Sequence, residues 1–324
     1  MVQVFILAVA VLPPLFLAAF FLTHFRHRFG LSLGAKALIG GMISAPLALG
    51  FSILLARLGL PVDGIAGAAV RAWMGAAIPE EIAKFLIVWF YIRRHPDCDS
   101  AGDLFCGSVL VGIGFALLEN ILYVTGAGPD WFSASLLRGA MAVPGHTIDG
   151  MVMGVFLAWW WRKAIAAPLA VILALMLPIA AHGLYDFPLM ALNVAGSTHQ
   201  GTPSLLQIQL LTLFVLVLAV SAAAAWWSAR AELIEVFRRP HPDIDLHRGD
   251  DRTLRFWRWI GWAMMLGGGA VLLIGLVQLI GRDIEGAWMM AMAILPTAFG
   301  AILTMRLPEH GETPPNNWPR APRR

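Results

Sequence analysis

The sequence predicts an all-α, polytopic transmembrane helical bundle of about nine spans, N-terminus outside and C-terminus cytoplasmic. Three observations predict it. Hydrophobic residues fill 59% of the 324 positions and charged residues only 13%, about half the charged share of an ordinary soluble domain; mean hydropathy is +0.73. The apolar residues fall in runs of about 19–29, long enough to cross roughly 30 Å of hydrocarbon. Lysine and arginine collect on alternate connections: Arg26, Arg28 and Lys36; Arg93 and Arg94; Arg162 and Lys163; the segment from Arg230 to Arg258; and Arg306 to Arg324. The other connections offer only Arg57 and Arg282, and that asymmetry sets the orientation.

The first run, 2–22, has no basic segment before it and no Ala-x-Ala-like site after it, so a retained helix is expected rather than a cleaved leader. Span two is 37–56. Span three, 65–92, carries Pro79-Glu80-Glu81 and Lys84, and a kink is expected beside the acids because Pro79 frees carbonyls one turn back. Span four, 104–124, carries Glu119-Asn120. Span five, 134–161, holds Pro144-Gly145-His146 and Asp149; span six, 164–192, holds His182 and Asp186. Spans seven to nine (205–227, 257–280, 287–305) lack such groups. Tryptophans near span ends, among them Trp89, Trp131, Trp159, Trp227 and Trp257, suit an interfacial belt.

This order divides the chain into a membrane-embedded unit at 1–230 with its core at 70–190, a cytoplasmic basic loop at 231–256, two further transmembrane helices at 257–306, and a disordered cytoplasmic tail at 307–324. Cys98 and Cys106 match no metal or redox spacing. The formal charge of +3 is topological and gives no nucleic-acid signature; the expected surroundings are membrane lipid.

Six charged side chains (Glu80, Glu81, Lys84, Glu119, Asp149, Asp186) sit inside spans. At roughly 2.5–3.5 kcal/mol each on insertion scales, they cost on the order of 15 kcal/mol before pairing. Depth aligns them. Glu80 lies about 20 Å of helix from Arg93, and Glu119 and His146 each lie about 24 Å from Asp103 and Arg162. Spans running in opposite directions thus bring these groups to one layer, in the outer half of the bilayer.

Glu80 and Lys84 are i,i+4 neighbours and can pair, which leaves Glu81 free on another face. A structural ion pair is the plainer reading of those two residues, as an interhelical hydrogen bond is for Asn120. Arg71 and Arg138 read as snorkelling at the outer interface. His146 has Asp149 at i+3 and His182 has Asp186 at i+4; a carboxylate accepting one ring N–H would free the other nitrogen for a metal or a proton. His146, His182 and Glu119 can hold a catalytic zinc with an open position for water, with a second glutamate as general base. A glutamate and a histidine could equally activate water without metal. His-Glu-x-x-His, Gly-x-Gly-Asp and Gly-x-Ser-Gly are absent from the sequence.

Glu-Glu-x-x-Lys at Glu80–Lys84, Phe-x-x-x-Glu-Asn at Phe115–Asn120, His146, and His-x-x-x-Asp at His182–Asp186 together resemble the PrsW family of intramembrane proteases, which is distantly similar to the CAAX prenyl endopeptidases. The resemblance covers about 70–190. It implies a multi-pass metalloprotease of the bacterial cytoplasmic membrane acting in regulated intramembrane proteolysis on a transmembrane protein substrate, such as an anti-sigma factor. It also implies that Glu80, Glu81 and His182 are essential, with Glu119 and His146 completing the site. Lys84, Asn120, Asp149 and Asp186 would orient these groups. Glu81 is favoured as base because Lys84 can occupy Glu80. The competing reading is a proton- or cation-coupled transporter, although no internal repeat supports it. The last two spans and the seventh loop lie outside the resemblance and receive no role.

Overall fold

The computed structural model describes residues 2–24, 30–196, 205–238, 251–280 and 285–305. Helix covers each of the nine expected runs: α1 (Val2–His24), α2 (Leu31–Ala56), α3 (64–92), α4 (Ala101–Gly126), α5 (131–161), α6 (Ala167–Gly196), α7 (Leu205–Arg238), α8 (Asp251–Ile280) and α9 (Glu285–Thr304). No strand occurs among the described residues. Eight of these helices are long and apolar enough to cross a membrane by length and composition. The exception is α3, which is broken by irregular turns and carries Glu80, Glu81 and Lys84.

The centre of the bundle is α4. Its first turn is fixed by Ser100, whose Oγ accepts from Asp103 N at 3.1 Å while Asp103 Oδ2 accepts from Ser100 N at 2.9 Å, a reciprocal cap that satisfies two orphan donors. Apolar on all sides, α4 is surrounded by α1, α2 and α5, as a helix without a polar stripe must be. Small residues set how close these neighbours come: a Cβ on Gly112 would lie 2.3 Å from the His146 carbonyl oxygen of α5. Only glycine allows that approach.

Two prolines shape the helices on either side. In α3 the helix widens to a π-helical turn at Arg71–Ala77 before returning to α geometry at Ile78–Ile87. Pro79 has no N–H to give the carbonyl of Gly75, four residues back, and its ring crowds that carbonyl. Ser52 Oγ of α2 donates to Gly75 O at 2.7 Å instead. The expected kink is thus a widened turn whose freed acceptor is satisfied by a neighbour. In α5 a second π turn, Arg138–Ala142, precedes Pro144 in the same way. A third, Val88–Ile92, ends α3.

Helix covers both flanks of the expected 231–256 loop: α7 continues to Arg238 and α8 begins at Asp251. The reason is local, since Ala229-Arg230-Ala231-Glu232-Leu233 consists of good helix formers and the first proline is Pro240. Pro240, Pro242, Arg282 and the tail expected at 307–324 lie outside the described residues. Trp257, expected near a span end, packs inside the bundle. It is buried against Phe16 and Phe20 of α1, and its indole N–H donates to Thr23 Oγ1 at 2.9 Å.

Candidate active site

Four helices bring the intramembrane polar residues to one place. The 78–87 segment of α3 supplies Glu80, Glu81 and Lys84; α4 supplies Glu119 and Asn120; α5 supplies His146 and Asp149; α6 supplies His182 and Asp186. Lys84 is at the hub. Its Nζ lies 2.7 Å from Glu81 Oε1, 2.9 Å from His146 Nδ1 and 4.1 Å from the centre of the Phe115 ring. Glu80 Oε2 is farther away, at 3.9 Å. The expected Glu80–Lys84 pairing is present as the longer of two contacts: the lysine also reaches the acid at i−3, and more closely, because that carboxylate is wholly buried and has no water to turn to.

These contacts fix the histidine tautomers. Lysine has no acceptor, so His146 Nδ1 must accept from Lys84, and its Nε2–H donates to Glu119 Oε2 at 2.7 Å. The carboxylate that orients His146 is thus Glu119 from another helix, in place of the expected Asp149. His182 Nδ1 donates to Glu81 Oε1 at 2.9 Å, and its Nε2 faces Asp186 Oδ2 at 3.4 Å and Glu80 Oε2 at 3.8 Å. Asp186 thus stands beside His182 as the i+4 spacing predicts.

By sequence position Arg138 reads as interfacial; the structure places it in the cluster. Its Nη2 donates to Glu119 Oε2 at 2.6 Å, its Nε to Asn120 Oδ1 at 3.0 Å, and its guanidinium lies 4.2 Å from the centre of the Tyr123 ring. The signal was available: Arg138 precedes His146 by about two turns, on the same helix face. Asn120 turns its amide the other way, Nδ2 donating to Ala10 O of α1 at 2.5 Å. Arg71, by contrast, is exposed as expected and donates to Val62 O.

A cavity of about 730 Å³ opens beside the cluster. Glu80, Glu119, Arg138, His146, Asp149, His182 and Asp186 line its polar part; Leu189, Leu211, Leu218, Trp288 and Leu295 line its apolar part. Glu81 and Lys84 stand behind the wall, each almost fully buried.

Donor atoms suited to a metal fall within 4.8 Å of one another in two groups, Glu81–His146–Asp149–His182 and Glu80–Glu119–His146. No one group holds all three expected ligands: His146 falls in both, His182 only in the first and Glu119 only in the second. In the first group the Lys84 ammonium already bonds two members. The second group faces the cavity, and Glu80 Oε2 is buried without a hydrogen-bond partner among the described residues. A buried carboxylate oxygen left unsatisfied is costly, and a divalent cation would satisfy it. Carboxylate and imidazole are donors that such ions take, so the residues fit a metal.

A multi-pass helical bundle that gathers acids and histidines beside a cavity is a membrane protein with a chemical site in its interior. The chain belongs to the PrsW family: the family model for PrsW family intramembrane metalloproteases matches residues 30–221. It is similar to "Protease PrsW" of Geobacillus kaustophilus, 30% identical over 44% of this chain and 62% of the relative, and to that of Bacillus subtilis, 30% identical over 44% and 65%. The Halalkalibacterium halodurans protein of the same name is 26% identical over 56% of this chain and 81% of its own. The chain thus spans less than two thirds of the Geobacillus and Bacillus relatives. No solved structure matches it. The apolar helices and the family make it a multi-pass bacterial membrane protein. Helices α1, α8 and α9 lie outside the matched range.

Proposed function

We propose that the chain is a zinc-dependent intramembrane endopeptidase that hydrolyses a peptide bond in a membrane-anchored protein. The observation that carries this reading is Glu80. Its Oε2 is buried without a hydrogen bond, 3.8 Å from His182 Nε2 and 3.9 Å from Lys84 Nζ, and its side chain lines the cavity. Glu81 is held by both Lys84 and His182 behind the wall, so Glu80 rather than Glu81 is the general base.

A water lodged between Glu80 and the substrate carbonyl gives its proton to Glu80 Oε2 as its oxygen attacks the carbonyl carbon. The same proton then passes from Glu80 to the amide nitrogen of the departing segment, and the C–N bond breaks. His182, with Nδ1–H tied to Glu81, holds its other nitrogen toward Glu80. His146 and Glu119 would hold the zinc, in the donor group that they form with Glu80 on the cavity side. Bound there, the metal supplies Lewis acidity to the carbonyl and lowers the pKa of water. Lys84 keeps Glu81 and His146 in register, and Arg138 does the same for Glu119.

The test uses full-length protein in proteoliposomes with a pool of single-span peptides, new termini being read by mass spectrometry. Cleavage by the wild type and its loss in Glu80→Gln are expected. No cleavage, with peptide-dependent ion flux in its place, would overturn the reading in favour of a transporter.

A further inference from the structure

The α8–α9 hairpin lies beyond the family-matched range, yet part of it reaches the site. Gly300 and Gly286 of α9 face Gly261 and Gly275 of α8 so closely that an added Cβ would stand 2.7 Å and 2.3 Å from the opposing carbonyl oxygens. That approach makes the hairpin one firm unit. Most of the best-spanning stretch of α8 is left exposed, with only 11% of it buried. Through α9 the hairpin packs on α7 and touches the π turn of α5.

The face that α9 turns inward reads Trp288, Ala291, Leu295, spaced by one and two helical turns. Trp288 and Leu295 line the same cavity as Glu80 and His182, and the alanine between them is fully buried. Trp288 is also tied to the site helix by rings: its indole centre lies 6.0 Å from Phe214 of α7, and Phe214 lies 5.4 Å from Tyr185, the neighbour of Asp186.

We propose that α9 is the selecting wall of this cavity, and that Trp288 sets the size of the apolar side chain accepted beside the cleaved bond. The indole fills volume that a larger side chain would need, and the surrounding aliphatic residues reward apolar groups over polar ones. Small and medium aliphatic side chains pass; aromatic ones meet the Trp288 ring. The inference rests on the endopeptidase reading above.

The experiment uses full-length protein in proteoliposomes and a single-span Leu/Ala peptide of about 20 apolar residues. Once its cleavage point is mapped, the residue beside the bond is varied among Ala, Val, Leu and Phe. In Trp288→Ala the ratio of kcat/KM for Phe over Ala should rise roughly 10-fold or more over wild type, the scale on which an apolar pocket discriminates. Trp288→Phe should give a smaller rise, and it carries the test if the alanine variant does not fold. Trp262→Ala, on the half-exposed surface of α8, should leave the ratio unchanged. An equal fall for all four peptides in the Trp288 variants would show a merely structural role and overturn the proposal. A wild type that cleaves none of the peptides would instead overturn the endopeptidase reading beneath it.

Discussion

Lys84 Nζ stands 2.7 Å from Glu81 Oε1 and 3.9 Å from Glu80 Oε2. One cation thus distinguishes two adjacent acids, and sits closer to the one that the i,i+4 spacing leaves free. Glu81 becomes half of a close buried ion pair behind the wall; each acid keeps one buried oxygen without a hydrogen bond, but only Glu80 lines the cavity. Glu80→Gln should therefore abolish cleavage without shifting the thermal midpoint in detergent. Glu81→Gln leaves the ammonium buried without its counter-charge, which costs about 3–5 kcal/mol where such pairs have been broken. It should lower the midpoint and the activity together. Equal midpoints for the two variants would contradict the division.

Arg138 neutralises Glu119 and fixes its direction through the 2.6 Å contact. Arg138→Met should leave that carboxylate without its cation, reduce cleavage at least 10-fold and lower stability by about 3 kcal/mol or more. Arg138→Lys keeps the charge but loses the forked contact to Glu119 and Asn120, so it should recover stability better than turnover. Steady-state kinetics beside thermal melts separate the two effects.

Gly183 follows His182, and a Cβ there would lie 2.6 Å from the Trp73 indole. Gly183→Ala should cost about 1–3 kcal/mol by overpacking and push His182 off its bond to Glu81. Adding Trp73→Leu should restore much of the loss. Failure of that second change to help would mean that the contact between α3 and α6 is not what places the histidine.

Metal content can be read directly by elemental mass spectrometry of gently purified protein. About one zinc per chain is expected, falling to background in His146→Ala and Glu119→Ala while size-exclusion profiles stay unchanged. Wild-type protein free of zinc after purification without chelators would remove the metal from the mechanism.

Cys98 lies on the connection between α3 and α4 and is buried. Burial, together with Asp103 and Asp99, pushes its thiol from the ordinary 9.0 up to about 12. Iodoacetamide at pH 8 should leave it unmodified in the folded protein and label it in denaturant. The unfolded chain loses this proton first, so stability is unaffected below pH 9 and falls as pH rises from about 9 toward 12. Fast labelling of folded protein at pH 8 would show the site to be open.

The helices were legible in the sequence because apolar runs of spanning length have few other folds available. The gathering of Glu80, Glu119, His146 and His182 was legible because depth along a helix follows from counting residues between charged anchors. Partner choice was less so. The i,i+4 spacing of Glu80 and Lys84 gave the longer pair and missed the shorter one, since Lys84 answers to the burial of Glu81 and to His146, 62 residues away. His146 likewise takes Glu119 from α4, a contact that no spacing within α5 encodes. Arg138 was missed for a related reason: an arginine near a span end fits the interface unless the acid facing it on the next helix is known.

Because its parts come from α3, α4, α5 and α6, the site cannot exist while the chain is being made until the sixth helix has entered the membrane. Glu81 and His182 are 101 residues apart, so the ribosome must add that stretch after it has joined the glutamate to the chain. Helices inserted earlier hold Lys84, Glu81 and His146 but lack the imidazole that faces Glu80. On the proposed mechanism, reactivity therefore arrives only once six of the nine described helices are in place.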